Sequence, residues 1–282
     1  MSEKNTLVVG GTGTTGRRVV TALRARGVPV VTASRSGERR FDWQDRGTWD
    51  AALAGVEAMY VVPLDGALLT RPFVARAVAL GVRRVVLLSA RGVDVPDYGP
   101  ADNVIGQTHV DGEDAVRTSG VDWTILRPGW FAQNFTEGFF RDAVAAGELR
   151  LSAGDGAASF VDAEDIAAVA VAALTEDGHA GQTYELSGPR AVTLAEAAAE
   201  ISAASGRRVR YVPLAEGDYI AELVAAGLPE PDAADFAEVV RALRRGLDAH
   251  LSDGVCRALG RPPRDFGEFV KSATAAGAWP VN

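Results

Sequence analysis

Short apolar runs alternate with helical patterns through the first half of the chain. The runs occupy residues 7–9, 28–34, 58–63, 82–89 and 121–126. After the first run, apolar residues recur with helical spacing while arginines take the opposite side. Runs that are apolar on both faces are typical of parallel strands covered by helices. We therefore predict an α/β fold built on a doubly wound parallel sheet.

The second half of the chain returns once to this pattern and then becomes mainly helical. We predict a short third strand at 40–43, a helix at 164–174 and a returning strand at 182–187. Residues 215–275 predict helices that are separated by a break at 228–233. We expect residues 1–150 to form one domain, and residues 151–282 to supply the remaining sheet element and a smaller, mainly helical lobe.

Glycines at positions 10, 13 and 16 lie between the first apolar run and the first helical pattern. A strand, a glycine turn and a helix together are typical of a Rossmann-like dinucleotide site. Gly10 is expected to make the tight turn, Gly13 to admit the pyrophosphate, and Gly16 to let helix and strand pack closely. The helix N-terminus would then hold the phosphates. The predicted cofactor-binding residues of this loop are Gly10, Thr12, Gly13, Thr14, Thr15 and Gly16.

The end of the second apolar run indicates which cofactor is preferred. An NAD site usually has an acidic residue there, which binds the ribose 2′-hydroxyl. This chain instead has Ser34-Arg35-Ser36. The Arg35 guanidinium can pair with a 2′-phosphate, and Ser34 can donate to it. The pattern therefore favours NADP over NAD.

Other cofactor and substrate residues follow from the ends of later strands, because ligands of such sheets lie beyond their carboxyl ends. Asp42 and Trp43 are expected to flank the adenine, with a core position as the alternative for Trp43. The cleft is expected to be lined by Pro63, Ser89, Ala90 and Arg91. The predicted substrate-binding residues are Tyr98, Trp130, Phe131, Asn134 and Phe135.

Composition and charge exclude several classes of partner. The formal net charge of −8 argues against a nucleic-acid partner and an anionic membrane surface. The single cysteine cannot form an intramolecular disulfide, and the three histidines show no metal-ligand spacing. No apolar run reaches the ~20 residues of a membrane span, and the first strand leaves no room for a signal peptide. We expect a cytoplasmic protein with a small-molecule substrate, and leave a homodimer open.

The motifs resemble those of atypical short-chain dehydrogenases of the NmrA-like group. The resemblance rests on the glycine pattern, on Arg127-Pro128-Gly129-Trp130-Phe131, and on Phe160-Val161-Asp162 with Asp165-Ile166-Ala167. Other segments are similar to the agroclavine and festuclavine dehydrogenases of ergot-alkaloid pathways, among them Phe41-Asp42-Trp43, Tyr60-Val61-Val62-Pro63 and Leu228-Pro229-Glu230. The resemblance spans about residues 6–275. It implies an NADPH-dependent reductase of a small, nitrogen-containing substrate.

The proton donor usual in short-chain dehydrogenases is absent from the sequence. Those enzymes use a Tyr-x-x-x-Lys pair, whereas the two lysines of this chain, Lys4 and Lys271, do not lie four residues after a tyrosine. NmrA-like oxidoreductases often carry a lysine before a His-x-x-x-Glu run. This chain has Thr108 there, followed by His109 and Glu113.

Three functions fit these observations. The first is hydride transfer to an imine or iminium carbon in secondary metabolism, which needs no positioned acid; loop carboxylates at positions 94, 97 and 102 would supply a counter-charge. The second is a non-catalytic NADP(H)-sensing protein. The third is a quinone or carbonyl reductase that uses Tyr98 or His109 as its acid, although nothing in the sequence tunes either residue.

Overall fold

The computed structural model describes residues 5–95, 98 and 104–280 of the chain. Its main element is a seven-stranded sheet in the order β3-β2-β1-β4-β5-β6-β9, in which every neighbouring pair is parallel. Two small two-stranded sheets, β10-β8 and β11-β7, lie outside it. The strands are β1 Asn5–Val9, β2 Val30–Ser34, β3 Arg39–Arg40, β4 Val56–Val61, β5 Arg84–Leu88, β6 Asp122–Pro128, β7 Glu148–Leu151, β8 Ala157–Ala158, β9 Gln182–Leu186, β10 Val192–Thr193 and β11 Arg210–Pro213.

Helices cover both faces of the large sheet and build most of the C-terminal part. The α-helices are α1 Thr14–Ala25, α2 Trp49–Leu53, α3 Thr70–Ala79, α4 Val104–Arg117, α5 Arg141–Ala146, α6 Ala163–Thr175, α7 Leu194–Ser205, α8 Glu216–Ala225, α9 Glu230–Arg244, α10 Gly254–Leu259 and α11 Phe266–Ala275. Short 3₁₀ helices occupy Arg46–Thr48, Ala132–Phe135 and Leu247–Ala249. Among the described residues, no helix combines the length and the apolar composition that crossing a bilayer requires.

Each face of the large sheet has its own hydrophobic core. Along β1, Val8 packs with helices α1 and α6, whereas Leu7 and Val9 pack on the opposite side. This alternation is what a strand buried on both faces requires, since successive side chains point to opposite sides. The predicted doubly wound α/β sheet is therefore confirmed, including the returning strand β9.

A third core joins residues 132–151 to the C-terminal helices. The sheet strand β9 and helix α6 lie between these segments in the sequence, yet they pack with the large sheet. The chain thus passes between the two parts more than once. A single division near residue 150 describes this packing only roughly.

Two predicted boundaries differ from the structure for identifiable reasons. Only Arg39–Arg40 pair with β2, because the backbone turns at Asp42, whose Oδ1 accepts a hydrogen bond from the Gln44 N–H at 2.9 Å. The predicted break at 228–233 is also too long, since α9 already begins at Glu230. Its proline lies in the first turn, where a missing N–H costs nothing.

Helix α7 begins with hydrogen bonds between Thr193 and Glu196. Thr193 Oγ1 accepts from the Glu196 N–H at 3.1 Å, and the Glu196 carboxylate accepts from the Thr193 N–H at 2.8 Å. This reciprocal capping box fixes the start of α7, which ends at Ser205.

Candidate functional site

The glycine-rich turn connects β1 to α1 at the carboxyl edge of the sheet. Gly10 has a φ of +76°, and its N–H donates to the Ala33 carbonyl at 3.0 Å. The Gly13 N–H closes the turn onto the Gly10 carbonyl at 2.9 Å. A Cβ at Gly16 would lie 2.2 Å from that same oxygen, which no side chain can do. The predicted tight turn and close helix–strand approach are therefore present.

The outer side of this turn has room for phosphates. Thr12 and Gly13 are exposed and Thr14 is half-buried. A Cβ at Gly13 would meet only the Gly10 carbonyl, at 3.3 Å, among the described residues. Helix α1 has no acidic residue in its first turn. Its first N–H groups therefore meet no acidic residue of their own helix, and the nearby Glu137 carboxylate is paired with Arg17 and Arg18, which leaves the turn suited to a pyrophosphate.

Thr15 has a different role from its neighbours on the loop. Its side chain is only 3% exposed, and Oγ1 accepts a hydrogen bond from the Tyr60 hydroxyl at 2.9 Å. Burial raises the pKa of Tyr60, so that the phenol stays protonated and donates. The Thr15 hydroxyl oxygen is thus engaged within the protein, and a phosphate contact through the Thr15 backbone N–H stays a prediction.

The end of β2 presents an arginine rather than a carboxylate. Arg35 is exposed, and the structure shows no ion-pair partner for it among the described residues. The acid that follows, Glu38, faces back along the strand: its carboxylate pairs with Arg24 and accepts from the Thr32 N–H at 3.0 Å. Ser34 Oγ accepts from the Ser36 N–H at 3.3 Å. This edge can therefore receive a phosphate without a competing carboxylate.

Trp43 belongs largely to the core at the adenine end. Its ring packs edge-on against Phe41 and Phe73, with 5.1 Å between centroids in both pairs, and against Trp49 at 6.5 Å. Half-buried, Trp43 keeps an outer surface. Its predicted contact with adenine, like that of Asp42, stays a prediction.

Beyond β5 and β6, a buried ion network holds the edge of the cleft. Ser89 is 3% exposed and donates to Glu113 Oε1 at 2.6 Å. The Arg127 guanidinium binds the same carboxylate in a bidentate manner, at 2.8 and 2.7 Å. Although burial alone would raise it, these hydrogen bonds bring the pKa of Glu113 below its usual value. Ser89 is therefore engaged with the protein, and its predicted contact with the cofactor stays a prediction.

The predicted counter-charge at Asp94 does not stand free. Asp94 Oδ2 accepts from Arg127 Nη1 at 2.8 Å, so that it belongs to the same network. The other two candidates, Asp97 and Asp102, lie outside the described residues. Pro63 is buried and Ala90 half-buried at the cleft edge.

Arg91 connects this edge to the C-terminal part of the chain. It is 7% exposed, and Nη1 donates to Ser159 Oγ at 2.9 Å and to the His250 carbonyl at 2.8 Å. Its guanidinium also lies over Gly129, where a Cβ would be 3.5 Å from Arg91 Cζ. The predicted cleft position of Arg91 thus includes contacts with residues far away in the sequence.

Tyr98 is bound to a buried carboxylate that the sequence analysis did not identify. Its hydroxyl donates to Asp248 Oδ1, and Asp248 is 3% exposed. Burial and the neighbouring charge of Asp248 raise the pKa of Tyr98. Burial likewise raises the pKa of Asp248, and the hydrogen bond from Tyr98 offsets only part of that shift. Tyr98 is therefore a poor proton donor, because its pKa is raised and its proton is shared with Asp248.

His109, the other candidate acid, is also tuned in the unfavourable direction. Its side chain is largely buried, and Nε2 lies 3.7 Å from Asp65 Oδ1. Burial lowers the pKa of His109 below its ordinary value, so that the ring is neutral near pH 7. No group of three or more metal-binding side chains comes together within the ranges that the structure describes.

One predicted substrate residue is wrong. Phe135 has no exposed surface: its ring packs against Phe140 at 4.9 Å and against Phe160 and Phe266 at 5.2 and 5.3 Å. Phe135 ends the 3₁₀ helix Ala132–Phe135 and packs into the C-terminal core, so that it stabilises the fold instead. The other predicted substrate residues, Trp130, Phe131 and Asn134, are half-buried.

An exposed aromatic surface next to Trp130 was missed by the sequence analysis. Phe139 is 39% exposed and Phe236 37% exposed, and their rings stack at 5.4 Å. Phe139 also meets Trp130 edge-on at 6.0 Å. Phe236 lies on α9, about a hundred residues after Phe139 in the sequence. Nothing in the helical pattern of α9 indicates that this ring lies beside Trp130 and Phe139.

A parallel doubly wound sheet with a glycine turn at a helix N-terminus defines a dinucleotide-binding protein. The family whose description is NAD(P)H-binding matches residues 10–177. The chain belongs to this NAD(P)H-binding family. The predicted dinucleotide cofactor is thereby confirmed.

Named relatives cover nearly the whole chain. An NAD(P)H azoreductase from Xenophilus azovorans is 36% identical, over 96% of this chain and 98% of that protein. The agroclavine dehydrogenase of Claviceps fusiformis is 33% identical, over 94% and 95%. An NADPH-dependent quinone oxidoreductase from Escherichia coli, solved with NADPH, has a TM-score of 0.79 and 28% identity, over 95% and 99%. The resemblance is therefore not specific to the ergot-alkaloid enzymes.

Proposed function

We propose that this protein is an NADPH-dependent reductase that delivers hydride to a small, planar, conjugated acceptor without a side-chain proton donor. Bound NADPH supplies the hydride from C4 of its nicotinamide. The helix α1 N-terminus would hold the pyrophosphate, and Arg35 would hold the 2′-phosphate. The protein's own contribution is then binding, orientation and electrostatics.

The observation that carries this proposal is the state of Tyr98. It is the tyrosine at the cleft edge, and its proton is directed at Asp248. Tyr60 is fully buried against Thr15, and Lys271 lies on the exposed side of α11. Reducing an isolated ketone creates an alkoxide, which needs a positioned acid. An iminium, an azo group or a quinone instead ends neutral or spreads its charge, so that water can complete the reaction.

The aromatic surface supports a planar substrate. Trp130, Phe139 and Phe236 form a partly exposed group of rings beside the carboxyl end of β6. Offset or edge contacts with such rings are worth about 0.5–1.5 kcal/mol each beyond area burial. A flat conjugated acceptor makes several of these contacts at once, whereas a compact saturated ketone does not.

The finer identity of the acceptor has two candidates. The first is the imine or iminium expected from the sequence. Its support is the likeness of this chain to the agroclavine dehydrogenases. A quinone is supported by the likeness to the solved quinone oxidoreductase and by a specific observation, the buried positive charge of Arg91 near the cleft. That guanidinium can donate to an oxygen and so favours an acceptor that gains negative charge there.

The test is a panel of acceptors with the purified protein and NADPH. We expect NADPH oxidation with a naphthoquinone, an azo dye or a cyclic iminium, and little with a saturated ketone of similar size. Equal turnover of the ketone would show that a proton donor operates. Tight NADPH binding without turnover of any acceptor would favour the cofactor-sensing alternative instead.

A further inference from the structure

Arg91 and Asp248 are two buried charges of opposite sign that approach each other without forming an ion pair. Arg91 is 7% exposed and Asp248 3% exposed. The structure shows no direct ion pair between these two described residues, but Ser159 connects them: its Oγ accepts from Arg91 Nη1 at 2.9 Å, and its N–H donates to the Asp248 backbone carbonyl at 3.0 Å. Buried opposite charges normally pair directly, because leaving either one partly unpaired is costly. Their arrangement therefore needs an explanation.

Each of the two side chains has hydrogen-bonding capacity to spare. Arg91 Nη1 is used by Ser159 and His250, but Nε and Nη2 have no hydrogen-bond partner among the described residues. Asp248 Oδ1 is used by Tyr98, but Oδ2 has no partner among them either. An unmade buried hydrogen bond costs about 1–3 kcal/mol. Two donors, Arg91 Nε and Nη2, and one acceptor, Asp248 Oδ2, can therefore bind a group that both accepts and donates hydrogen bonds.

Trp130 links this pair to the aromatic surface. It directly follows Gly129, over which the Arg91 guanidinium lies, while its ring contacts Phe139. A planar molecule that lies on the aromatic surface would thus direct one edge at Asp248 and Arg91.

We propose that Arg91 and Asp248 bind one oxygen of the hydride acceptor. Arg91 donates to the carbonyl oxygen before reduction, and Asp248 accepts the hydrogen bond of the hydroxyl that replaces it. With NADPH bound, its hydride would form a C–H bond at the ring carbon conjugated with the carbonyl, the ring C=C pair would shift toward the carbonyl carbon, and the carbonyl π bond would break. The carbonyl oxygen gains that π pair and takes one proton from water. Loss of a proton from the new CH2 to water and uptake of one by the second oxygen then complete the hydroquinone. Arg91 stabilises the charge that develops on oxygen.

This inference rests on the proposed reductase function and narrows it to quinone-type acceptors. Arg91 and Asp248 are specificity-determining residues under it. An acceptor without a carbonyl oxygen would leave the donors of Arg91 unused, and a site built to bind an oxygen discriminates strongly against a compound that lacks it.

The first experiment compares two acceptors in the same variant. Asp248→Asn keeps the shape of the side chain but replaces an acceptor by a donor. With a naphthoquinone we expect kcat/KM to fall about tenfold to hundredfold, the scale of a hydrogen bond to a charged group. With an azo or iminium acceptor that lacks oxygen, it should change less than about threefold. Arg91→Lys should shift this ratio in the same direction. NADPH affinity, measured by fluorescence titration, should stay within about twofold.

The matched control is Asp165→Asn. Asp165 is another fully buried carboxylate, bound by Arg261 at 2.7 Å and by the Arg264 N–H at 2.7 Å. It should lower stability without changing the ratio between the two acceptors. An unchanged ratio in Asp248→Asn and Arg91→Lys would overturn the inference. An equal loss of kcat/KM for both acceptors, together with weaker NADPH binding, would also overturn it. That result would mean that Arg91 and Asp248 bind the nicotinamide carboxamide.

A second experiment uses the unmodified protein, because the variants of buried residues can fail to fold. With NADP⁺ bound, 1-naphthol should bind at least about tenfold more tightly than naphthalene. Equal binding would contradict the oxygen subsite. If 1-naphthol is preferred but no acceptor is reduced, the subsite stands and the reductase proposal fails. If quinones are reduced but 1-naphthol binds no more tightly than naphthalene, the reductase proposal stands and the oxygen subsite fails.

Discussion

Arg35→Ala is the substitution that tests cofactor selectivity most directly. Arg35 follows the last residue of β2, is exposed, and has no ion-pair partner among the described residues. Removing its guanidinium therefore breaks no contact that the structure shows within the protein. The nearby Glu38 carboxylate remains held by Arg24 and the Thr32 N–H, so that it is not released into the site.

The expected loss follows from the type of contact and its exposure. A hydrogen bond to a charged group is worth about 1.5–3 kcal/mol, and exposure to solvent and salt places this one near the lower end. We expect NADPH binding to weaken by about 1.5–2 kcal/mol, or about 10- to 30-fold in Kd. The Kd for NADH should change less than about twofold, because NADH carries no 2′-phosphate.

Fluorescence titration with NADPH and NADH measures both constants in the same preparation. Arg40→Ala, on the neighbouring strand and equally exposed, is the control for a general loss of positive charge. The salt dependence of NADPH binding should also become shallower in Arg35→Ala but not in Arg40→Ala. If both cofactors weaken alike, or if the two variants behave alike, Arg35 does not read the 2′-phosphate.

Four further outcomes are expected. Gly13→Val should fold, since Gly13 has a φ of −79° and a Cβ there meets only one backbone oxygen among the described residues. The variant should nevertheless bind neither cofactor, because the branched side chain takes the space of the phosphate. Unchanged affinity in a cofactor titration would contradict the predicted position of the phosphate. Gly16→Ala should lower the free energy of unfolding by about 1–3 kcal/mol, because its Cβ would lie 2.2 Å from the Gly10 carbonyl; thermal denaturation beside Gly13→Ala measures the difference. With an oxygen-free acceptor, kcat should be flat from about pH 7 to 9, since the pKa of His109 is lowered by burial and that of Tyr98 is raised. Tyr98→Phe and His109→Ala should keep kcat within about tenfold, and a thousandfold loss in either would reveal a general acid.

Local patterns along the chain were enough to predict the sheet and the phosphate-binding turn. Leu7 to Val9 form β1, Gly10 adopts the positive φ of the turn, and Gly16 lies where no side chain fits. Arg35 follows β2 as expected. These features depend on neighbours within a few residues, because strand burial, turn conformation and helix capping are set by local backbone sterics and hydrogen bonding.

The residues that shape the acceptor side of the cleft depend on contacts across long stretches of sequence. Asp248 meets Tyr98 from 150 positions away, and Arg91 reaches the His250 carbonyl over 159. Phe135 has the same aromatic character as Trp130, yet tertiary packing closes a core around it and leaves the other ring half-buried. A sequence pattern indicates that a ring is apolar or that a carboxylate can be buried. Which surface covers it, and which charge it meets, is decided only when distant segments pack together and must satisfy their buried polar groups.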